Sequence, residues 1–271
     1  MRPQVRHQII YRYENPVSYT IQTLRLSPRP HDGLAVLNWR VQADGRRDLP
    51  SFVDGWGNLV HCLSINRPHE GVVLSAEGEV ETTDMAGIIR GGTEPLPPLY
   101  FLQPTTLTAA DAAIRALADE AGRGKSTIER LHGLMITVRD RVEYQTGVTD
   151  TTTPAADVLS RGGGVCQDHA HLFIAAARLL DIPARYVGGY LWTGIDGHEY
   201  DASHAWAEAY VEDLGWVGFD PSNRICPTAA YIRTSVGLDY AAAAPARGVR
   251  RGDALETLAV RVAVTARDAD Q

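Results

Sequence analysis

The sequence GGGVCQDHAHLFIAAARLL, residues 162–180, passes from three glycines into a run of alanine, leucine, isoleucine and phenylalanine. Glycine loses more backbone freedom on folding than any other residue, whereas alanine and leucine favour helices. We therefore predict a buried helix whose first turn contains Cys166. Unpaired backbone N–H groups and the helix dipole favour a thiolate at such a position, so Cys166 is a candidate nucleophile.

A free cysteine is more often a buried, inert residue, so a catalytic assignment needs a base and an acid elsewhere in the chain. The segment SHAWAEAYV, residues 203–211, has strand spacing and contains His204, and GWVGFD, residues 215–220, ends on Asp220. The turn between them reverses the chain, so we expect Asp220 near His204, with the register open to about two residues. The three residues together supply a thiol, a base and an orienting acid.

Composition narrows the classes of partner. The 271 residues carry a formal net charge of -7 without a run of lysines or arginines, which argues against nucleic acid and anionic membrane surfaces. No stretch approaches the ~18 to 20 apolar residues of a membrane span, and we expect a cytoplasmic protein. The cysteines Cys62, Cys166 and Cys226 lack CxxC spacing, so we predict no disulfide framework, no metal site and no cofactor.

The domain organisation follows from changes in periodicity. Short segments rich in branched and aromatic residues, separated by turn residues, predict a small all-β domain over residues 1–90. Glycines and prolines then cluster, which is typical of a linker, and we place it at residues 91–107. Helical periodicity followed by antiparallel strands predicts an α+β domain over residues 108–271.

The last strand of that second domain is predicted at ETLAVRVAV, residues 256–264. Its strict alternation places one face against the sheet of the second domain, and that face consists of Leu258, Val260, Val262 and Val264. The loop GIDGHEYD, residues 194–201, is polar and glycine-bearing, so we expect it to be exposed beside the site.

Three motifs closely resemble the catalytic core of bacterial transglutaminase-like proteins: GVCQDHAHLFIAAARLLDIPARYVGGYL, SHAWAEAYV and GWVGFDPSN. The segment from Tyr13 to Arg29, with LRLSPRP, and the loop DGWGN resemble the β-rich N-terminal domain that accompanies this core. The resemblance implies a papain-like or transglutaminase-like core, with helices packed on an antiparallel sheet. It also implies Cys166 as nucleophile, His204 as general base and acid, and Asp220 as orienter.

The resemblance leaves several side chains to be assigned. The backbone N–H of Cys166 is the expected oxyanion donor, and Tyr144 and Gln145 are candidates for a second donor by resemblance only. At His169 we expect an aromatic residue in the family, and we favour packing over titration both there and at His171. We interpret three tryptophans as structural rather than substrate-binding, namely Trp56 in DGWGN, Trp206 and Trp216.

The predicted function is a metal-independent thiol enzyme that acts on amide bonds of peptides or proteins through a thioester acyl-enzyme. The acyl group passes either to water, as in a peptidase or amidase, or to an amine, as in glutamine acyl transfer. Two alternatives are a non-catalytic peptide-binding member of the same fold and a thioester-dependent acyltransferase. We expect hydrolysis, because the loop at residues 194–201 is polar and the β-rich domain with Trp56 narrows the cleft without sealing it. Water then competes with a weakly held amine in an open cleft.

Overall fold

The computed structural model describes residues 1–123, 126–195, 199–200 and 203–267. The strands that precede the first helix are β1 (Arg2–Val17), β2 (Tyr19–Leu24), β3 (Leu34–Ala43), β4 (Ser51–Val53), β5 (Leu59–Ile65), β6 (His69–Thr82) and β7 (Ile88–Ile89). The helices are the 3-10 helix Pro98–Leu102, α1 (Ala112–Ala121), α2 (Thr127–Arg141), α3 (Ala155–Arg161), α4 (Cys166–Leu179) and α5 (Tyr240–Ala243). The remaining strands are β8 (Glu143–Tyr144), β9 (Gly163–Gly164), β10 (Ala184–Leu191), β11 (Glu199–Tyr200), β12 (His204–Val211), β13 (Gly215–Phe219), β14 (Tyr231–Gly237), β15 (Ala246–Arg251) and β16 (Glu256–Arg267).

Two sheets form a sandwich from the strands β1 to β6 of the first part of the chain and from β11, β15 and β16 of the later part. One has the strand order β11-β16-β1-β6-β3 and the other β15-β2-β5-β4. The inward side chains alternate along the strands, as the sequence pattern predicts, and bury a core that includes Ile9, Leu24, Leu63 and Leu74. The predicted β-rich first part is therefore confirmed as a sandwich.

The second part is an antiparallel sheet of order β14-β10-β12-β13-β7 with helices packed against it. The helices contribute residues such as Ile114, Leu131 and Phe173, and the sheet contributes Ala207 and Phe219, to one apolar core. Every residue of α4 from Cys166 to Arg178 is buried, which agrees with its apolar composition. The predicted α+β fold with helices on an antiparallel sheet is confirmed.

The strand predicted at residues 256–264 lies in a different sheet from the one we expected. It is part of β16, which pairs with β1 from Arg2 opposite Arg267 to Tyr13 opposite Glu256. Val262 and Val264 are buried as predicted, but Leu258 is 56% exposed. Alternation determines which face of a strand is buried and leaves the partner strand undetermined, so the assignment to the second sheet was wrong.

The predicted domain limits 1–90, 91–107 and 108–271 stay predictions, although strand pairings cross them. β15 and β16 complete the first sandwich, and Ile88 and Ile89 of β7 pair with β13 of the second sheet. An apolar cluster joins the two parts and contains Val5, Leu34, Val80, Tyr190, Ile232, Val262 and Val264.

The segment predicted as a linker docks onto the second sheet through buried charges. Arg185 donates to Glu208, with Nε 2.7 Å from Oε2, and both guanidinium Nη atoms donate to Glu94 in the segment. Arg233 also donates to Glu208, with Nε 2.8 Å from Oε1. Burial alone would raise the pKa of Glu208, but the two arginines lower it to about 2. Buried charges of this kind require such pairing.

Aromatic packing holds the rest of this segment in place. Phe101 of the 3-10 helix is buried, and its ring lies edge-on to Trp216 at 5.0 Å between centroids. The guanidinium of Arg185 lies 3.8 Å from the centre of the Trp216 ring. Trp56 packs against Phe101 and Tyr100, which confirms a structural role for this tryptophan.

Candidate active site

Local hydrogen bonds set the start of the helix that carries Cys166. Gly162 has a left-handed φ of 71° and ends α3, and β9 then pairs in parallel with β8. Oδ2 of Asp168 accepts from the backbone N–H of Val165 at 2.8 Å and from the Thr149 hydroxyl at 2.6 Å. A Cβ at Gly164 would lie 2.7 Å from the same oxygen, so only glycine fits there. Asp168 is thus a capping residue.

Cys166 is the first residue of α4, as predicted, and its side chain is almost fully buried. The N–H groups of Asp168 and His169 donate to the carbonyl of Val165. No hydrogen bond among the described residues uses the N–H groups of Cys166 and Gln167. The first N–H groups of a helix lack intrahelical acceptors, so these two can stabilise an oxyanion beside the sulfur.

Two neighbouring strands bring His204 and Asp220 together. The register places Ala207 of β12 opposite Phe219 of β13, so Asp220 follows directly at the strand end beside His204. Nε2 of His204 lies 2.7 Å from Oδ2 of Asp220. Cys166 and His204 line the same two cavities, and Nδ1 is the ring nitrogen that Asp220 leaves free for the thiol. The structure therefore brings together all three predicted residues.

The carboxylate of Asp220 has two further donors that the sequence analysis missed. Tyr231 Oη and Asn223 Nδ2 each lie 2.7 Å from Oδ2, the oxygen that also contacts His204. Asn223 belongs to the motif GWVGFDPSN, so its position could have suggested a role. Tyr231 starts β14, and no local pattern links it to Asp220.

These contacts determine the protonation of the pair. Burial alone would lower the pKa of His204, but hydrogen bonds with Asp220 and Cys166 and their negative charges raise it to about 10. Burial alone would raise the pKa of Asp220, but His204, Tyr231 and Asn223 together lower it. At neutral pH the arrangement favours an imidazolium beside a carboxylate.

His169 and His171 lie on the buried surface of α4, and their hydrogen bonds are to groups other than Cys166. Nδ1 of His169 lies 2.7 Å from Ser222 Oγ and Nε2 lies 3.1 Å from the Val142 carbonyl. Nε2 of His171 accepts from the Tyr240 N–H at 3.0 Å. Burial lowers both pKa values to about 4, so the rings are neutral structural groups at neutral pH.

The two candidates for a second oxyanion donor differ in position. Tyr144 lines a cavity together with Cys166 and His204, whereas Gln145 is absent from the residues that line it. Burial and the negative charges of Cys166 and Asp220 raise the pKa of Tyr144. The Gln145 N–H donates to the Gly164 carbonyl at 2.8 Å. Their catalytic roles stay predictions, and the positions favour Tyr144.

Two cavities meet at Cys166 and His204. The smaller has a volume of about 270 Å³ and the larger about 440 Å³. β16 contributes Val260 to the smaller cavity and Val262 to the larger one. The first sandwich thus forms a wall of the cleft through β1 and β16.

The expectation that Trp56 narrows the cleft was wrong, because this ring packs against Tyr100 and Phe101 and lines neither cavity at Cys166. In the loop predicted as exposed, Glu199 and Tyr200 pair with Ala263 and Val262 of β16. Residues 196–198 and 201–202 lie outside the described residues. Trp206 and Trp216 are buried in packing contacts, as predicted.

No group of three or more histidine, cysteine, aspartate or glutamate side chains within the described ranges is arranged to hold a metal ion. No helix in the same residues is long and apolar enough to cross a membrane.

Two protein families match the two parts of this sequence. Residues 115–221 match the Transglutaminase-like superfamily, and residues 4–81 match the Bacterial transglutaminase-like N-terminal region. The first match contains Cys166, His204 and Asp220, and the second covers most of the sandwich strands before β7. Residues 115–221 are therefore similar to the transglutaminase-like superfamily, and residues 4–81 are similar to the N-terminal region of its bacterial members.

Individual relatives cover the chain to different extents. An uncharacterized protein of Mycobacterium leprae (strain TN) is 29% identical over 276 residues, which cover 97% of this chain and 98% of the relative. A solved structure described as a "Putative Cysteine Protease from Cytophaga hutchinsonii" has a TM-score of 0.77 and 25% identity, covering 99% of this chain and 92% of that one. A protein-glutamine gamma-glutamyltransferase of Pseudomonas aeruginosa is 27% identical over 140 residues, covering 48% of this chain and 20% of the relative.

Proposed function

We propose that the protein is a thiol hydrolase that cleaves amide bonds of peptides or proteins through a thioester on Cys166. The observation that carries the proposal is the position of His204, whose Nε2 contacts Asp220 and whose ring lines both cavities together with Cys166. Covalent amide cleavage of this kind uses a thiol that lies next to a base, and a base that is oriented by an acid.

In the first half of the reaction the Cys166 sulfur attacks the amide carbonyl carbon, and the C–N bond breaks as His204 gives its proton to the leaving nitrogen. The negative oxygen of the tetrahedral intermediate accepts hydrogen bonds from the N–H groups of Cys166 and Gln167. The products are an amine and a thioester. In the second half His204 takes a proton from water, the hydroxide attacks the thioester, and the sulfur leaves as thiolate.

Comparison with relatives supports water as the acceptor. The solved structure that covers 99% of this chain is described as a "Putative Cysteine Protease". The relative described as a glutamyltransferase matches over 48% of the chain. That partial match makes acyl transfer to an amine the second candidate.

Release of ammonia and of amines from glutamine peptides and peptide amides tests the proposal, with and without excess primary amine. We expect a free acid product that depends on Cys166, and Cys166→Ala should abolish it. Cys226→Ala is the matched control, because this half-buried thiol lies outside both cavities at Cys166. Quantitative capture of the acyl group by dilute amine would identify a transferase instead.

The two alternatives make different predictions. A peptide-binding member needs no nucleophile, so its ligand affinity would survive Cys166→Ala and no product would form. A thioester-dependent acyltransferase needs a site for its donor, and neither cavity at Cys166 has a lysine or arginine among its lining residues. Because no described residue in these walls is a lysine or an arginine, the cavities offer little attraction to a large anionic donor.

The cytoplasmic location stays a proposal based on the sequence. Fractionation of source cells followed by antibody detection tests it, and recovery from the envelope or the medium would contradict it.

A further inference from the structure

The smaller cavity at Cys166 is built by both parts of the chain. The first sandwich contributes His7, Ile9 and Val260, and the second part contributes apolar and hydroxyl groups around the sulfur. Among the described residues that line it, Asp150 is the one carboxylate, and none is lysine or arginine. The cavity therefore has few groups that could pair with a charged ligand.

His7 is the unusual member of this wall. It belongs to β1, is 1% exposed, and Nδ1 lies 3.0 Å from Tyr190 Oη. Nε2 is buried and has no hydrogen-bond partner among the described residues. Buried polar atoms in folded proteins are nearly always paired, so an unpaired ring nitrogen on a residue that lines the cavity at Cys166 needs an explanation.

Counting protons assigns the tautomer of His7. Burial lowers its pKa to about 4, so the ring is neutral at neutral pH and carries one N–H. If Nδ1 carried that proton, the buried Tyr190 hydroxyl would lack an acceptor and Nε2 would lack a donor. If the hydroxyl donates to Nδ1, only the Nε2 N–H is unpaired. The second arrangement leaves fewer unpaired groups and makes Nε2 a donor.

We infer that the 270 Å³ cavity is the subsite for an uncharged, apolar substrate side chain, and that Nε2–H of His7 donates to a backbone carbonyl of the same peptide. The inference rests on the proposed function, since it places a peptide against Cys166. It gives the N-terminal sandwich a role in substrate selection and makes His7 a positioning residue.

Protection of Cys166 from iodoacetamide measures occupancy of the cavity. The probes are acetyl-phenylalanine methylamide and its lysine and glutamate counterparts. We expect the phenylalanine probe to protect at concentrations about tenfold lower than either charged probe, because an apolar pocket discriminates by roughly that factor or more. Equal protection by all three probes would overturn the uncharged subsite.

Val260 and Val262 supply a matched pair for locating the subsite, because they lie on the same face of β16 and line different cavities. Val260→Phe should weaken protection by the phenylalanine probe, whereas Val262→Phe should leave it unchanged. The opposite result would assign the probe to the larger cavity and overturn the inference. If Val260→Phe does not fold, Val260→Ile makes the same test with less added volume.

His7 is tested by loss and rescue. His7→Leu should weaken protection about tenfold, the typical effect of losing one hydrogen bond at a buried site, and His7→Gln should restore most of it because its amide provides a donor. Nitrogen-15 NMR should find the proton on Nε2 in the free protein. A proton on Nδ1, or equal protection in the Leu and Gln variants, would remove His7 from substrate binding.

The same experiment separates this inference from the proposed function. If iodoacetamide reacts with Cys166 no faster than with an ordinary thiol, the proposed function fails whatever the probes do. If Cys166 reacts rapidly but the probes give no protection, the enzyme assignment survives and the subsite fails.

Discussion

Nε2 of His204 lies 2.7 Å from Oδ2 of Asp220, and this contact decides which nitrogen of the ring serves the thiol. With Nε2 held by the carboxylate, Nδ1 is the atom available to Cys166. The same oxygen also accepts from Tyr231 and Asn223, so the orienter is itself held by two donors from outside the catalytic trio. Each of these hydrogen bonds to Asp220 can be removed separately by a single substitution.

Asp220→Asn should fold normally and lose most amide cleavage, because the amide can hold the ring but cannot stabilise its cation. The corresponding change in a serine-protease triad costs about 10⁴-fold, and we expect between about 10² and 10⁴ here. Steady-state turnover and circular dichroism measure the two properties. Asp140→Asn is the control, since this exposed carboxylate pairs with Arg224. Full turnover in the Asp220 variant would exclude it from the site.

Tyr231→Phe should reduce turnover by about 10- to 100-fold, the range expected when a hydrogen bond to a charged group is lost. Because Tyr231 lowers the pKa of Asp220, its removal should shift the acidic limb of the pH–rate profile to higher pH. The control is Tyr210→Phe, which alters a tyrosine packed on Trp216. An unchanged acidic limb would mean that Tyr231 only packs.

The raised pKa of His204 predicts a contribution to stability that depends on pH. Unfolded histidine titrates near 6.5, whereas the folded value is about 10. The contribution is complete below pH 6.5 and is lost as pH rises toward 10, since the folded chain holds the extra proton in that interval. Urea unfolding across this range measures it. Between pH 6.5 and 10 the His204→Gln variant should lose less stability than the wild type. Equal losses in the two proteins would contradict the raised pKa of His204.

Glu208→Gln should destabilise the fold by about 3 to 5 kcal/mol, because it removes the fully buried one of the two carboxylates that pair with Arg185 and Arg233. Urea unfolding measures the change. Glu120→Gln, which breaks a half-exposed pair with Arg141, should cost less than about 1 kcal/mol. Similar losses in both variants would show that burial of the network contributes little.

The catalytic residues could be predicted because each belongs to a short motif with its own local geometry. The glycines before Cys166 predict the start of a helix, and the turn between β12 and β13 predicts that His204 and Asp220 are close. The register itself came from the structure, with Ala207 opposite Phe219.

Features that depend on distant pairings could not be predicted. Tyr231 reaches Asp220 from another strand, and Glu94 reaches Arg185 from a segment whose glycines and prolines are typical of a linker. The glycine and proline content of the segment indicates how freely its backbone can move, but it does not indicate that Glu94 forms a buried ion pair with Arg185. The partner of β16 was missed for a similar reason, because alternation is a property of one strand alone.

The pairing of β1 with β16 has a consequence for how the molecule is made. β1 can pair with β6 once residues 69–82 have been synthesised, but its other edge stays open until residues 256–267 leave the ribosome. Contacts between residues so far apart slow folding, and an open strand edge invites pairing with other chains. The nascent sandwich therefore waits, with an unpaired edge, while the whole catalytic sheet is synthesised, and chaperone binding during that interval should concentrate on its first strand.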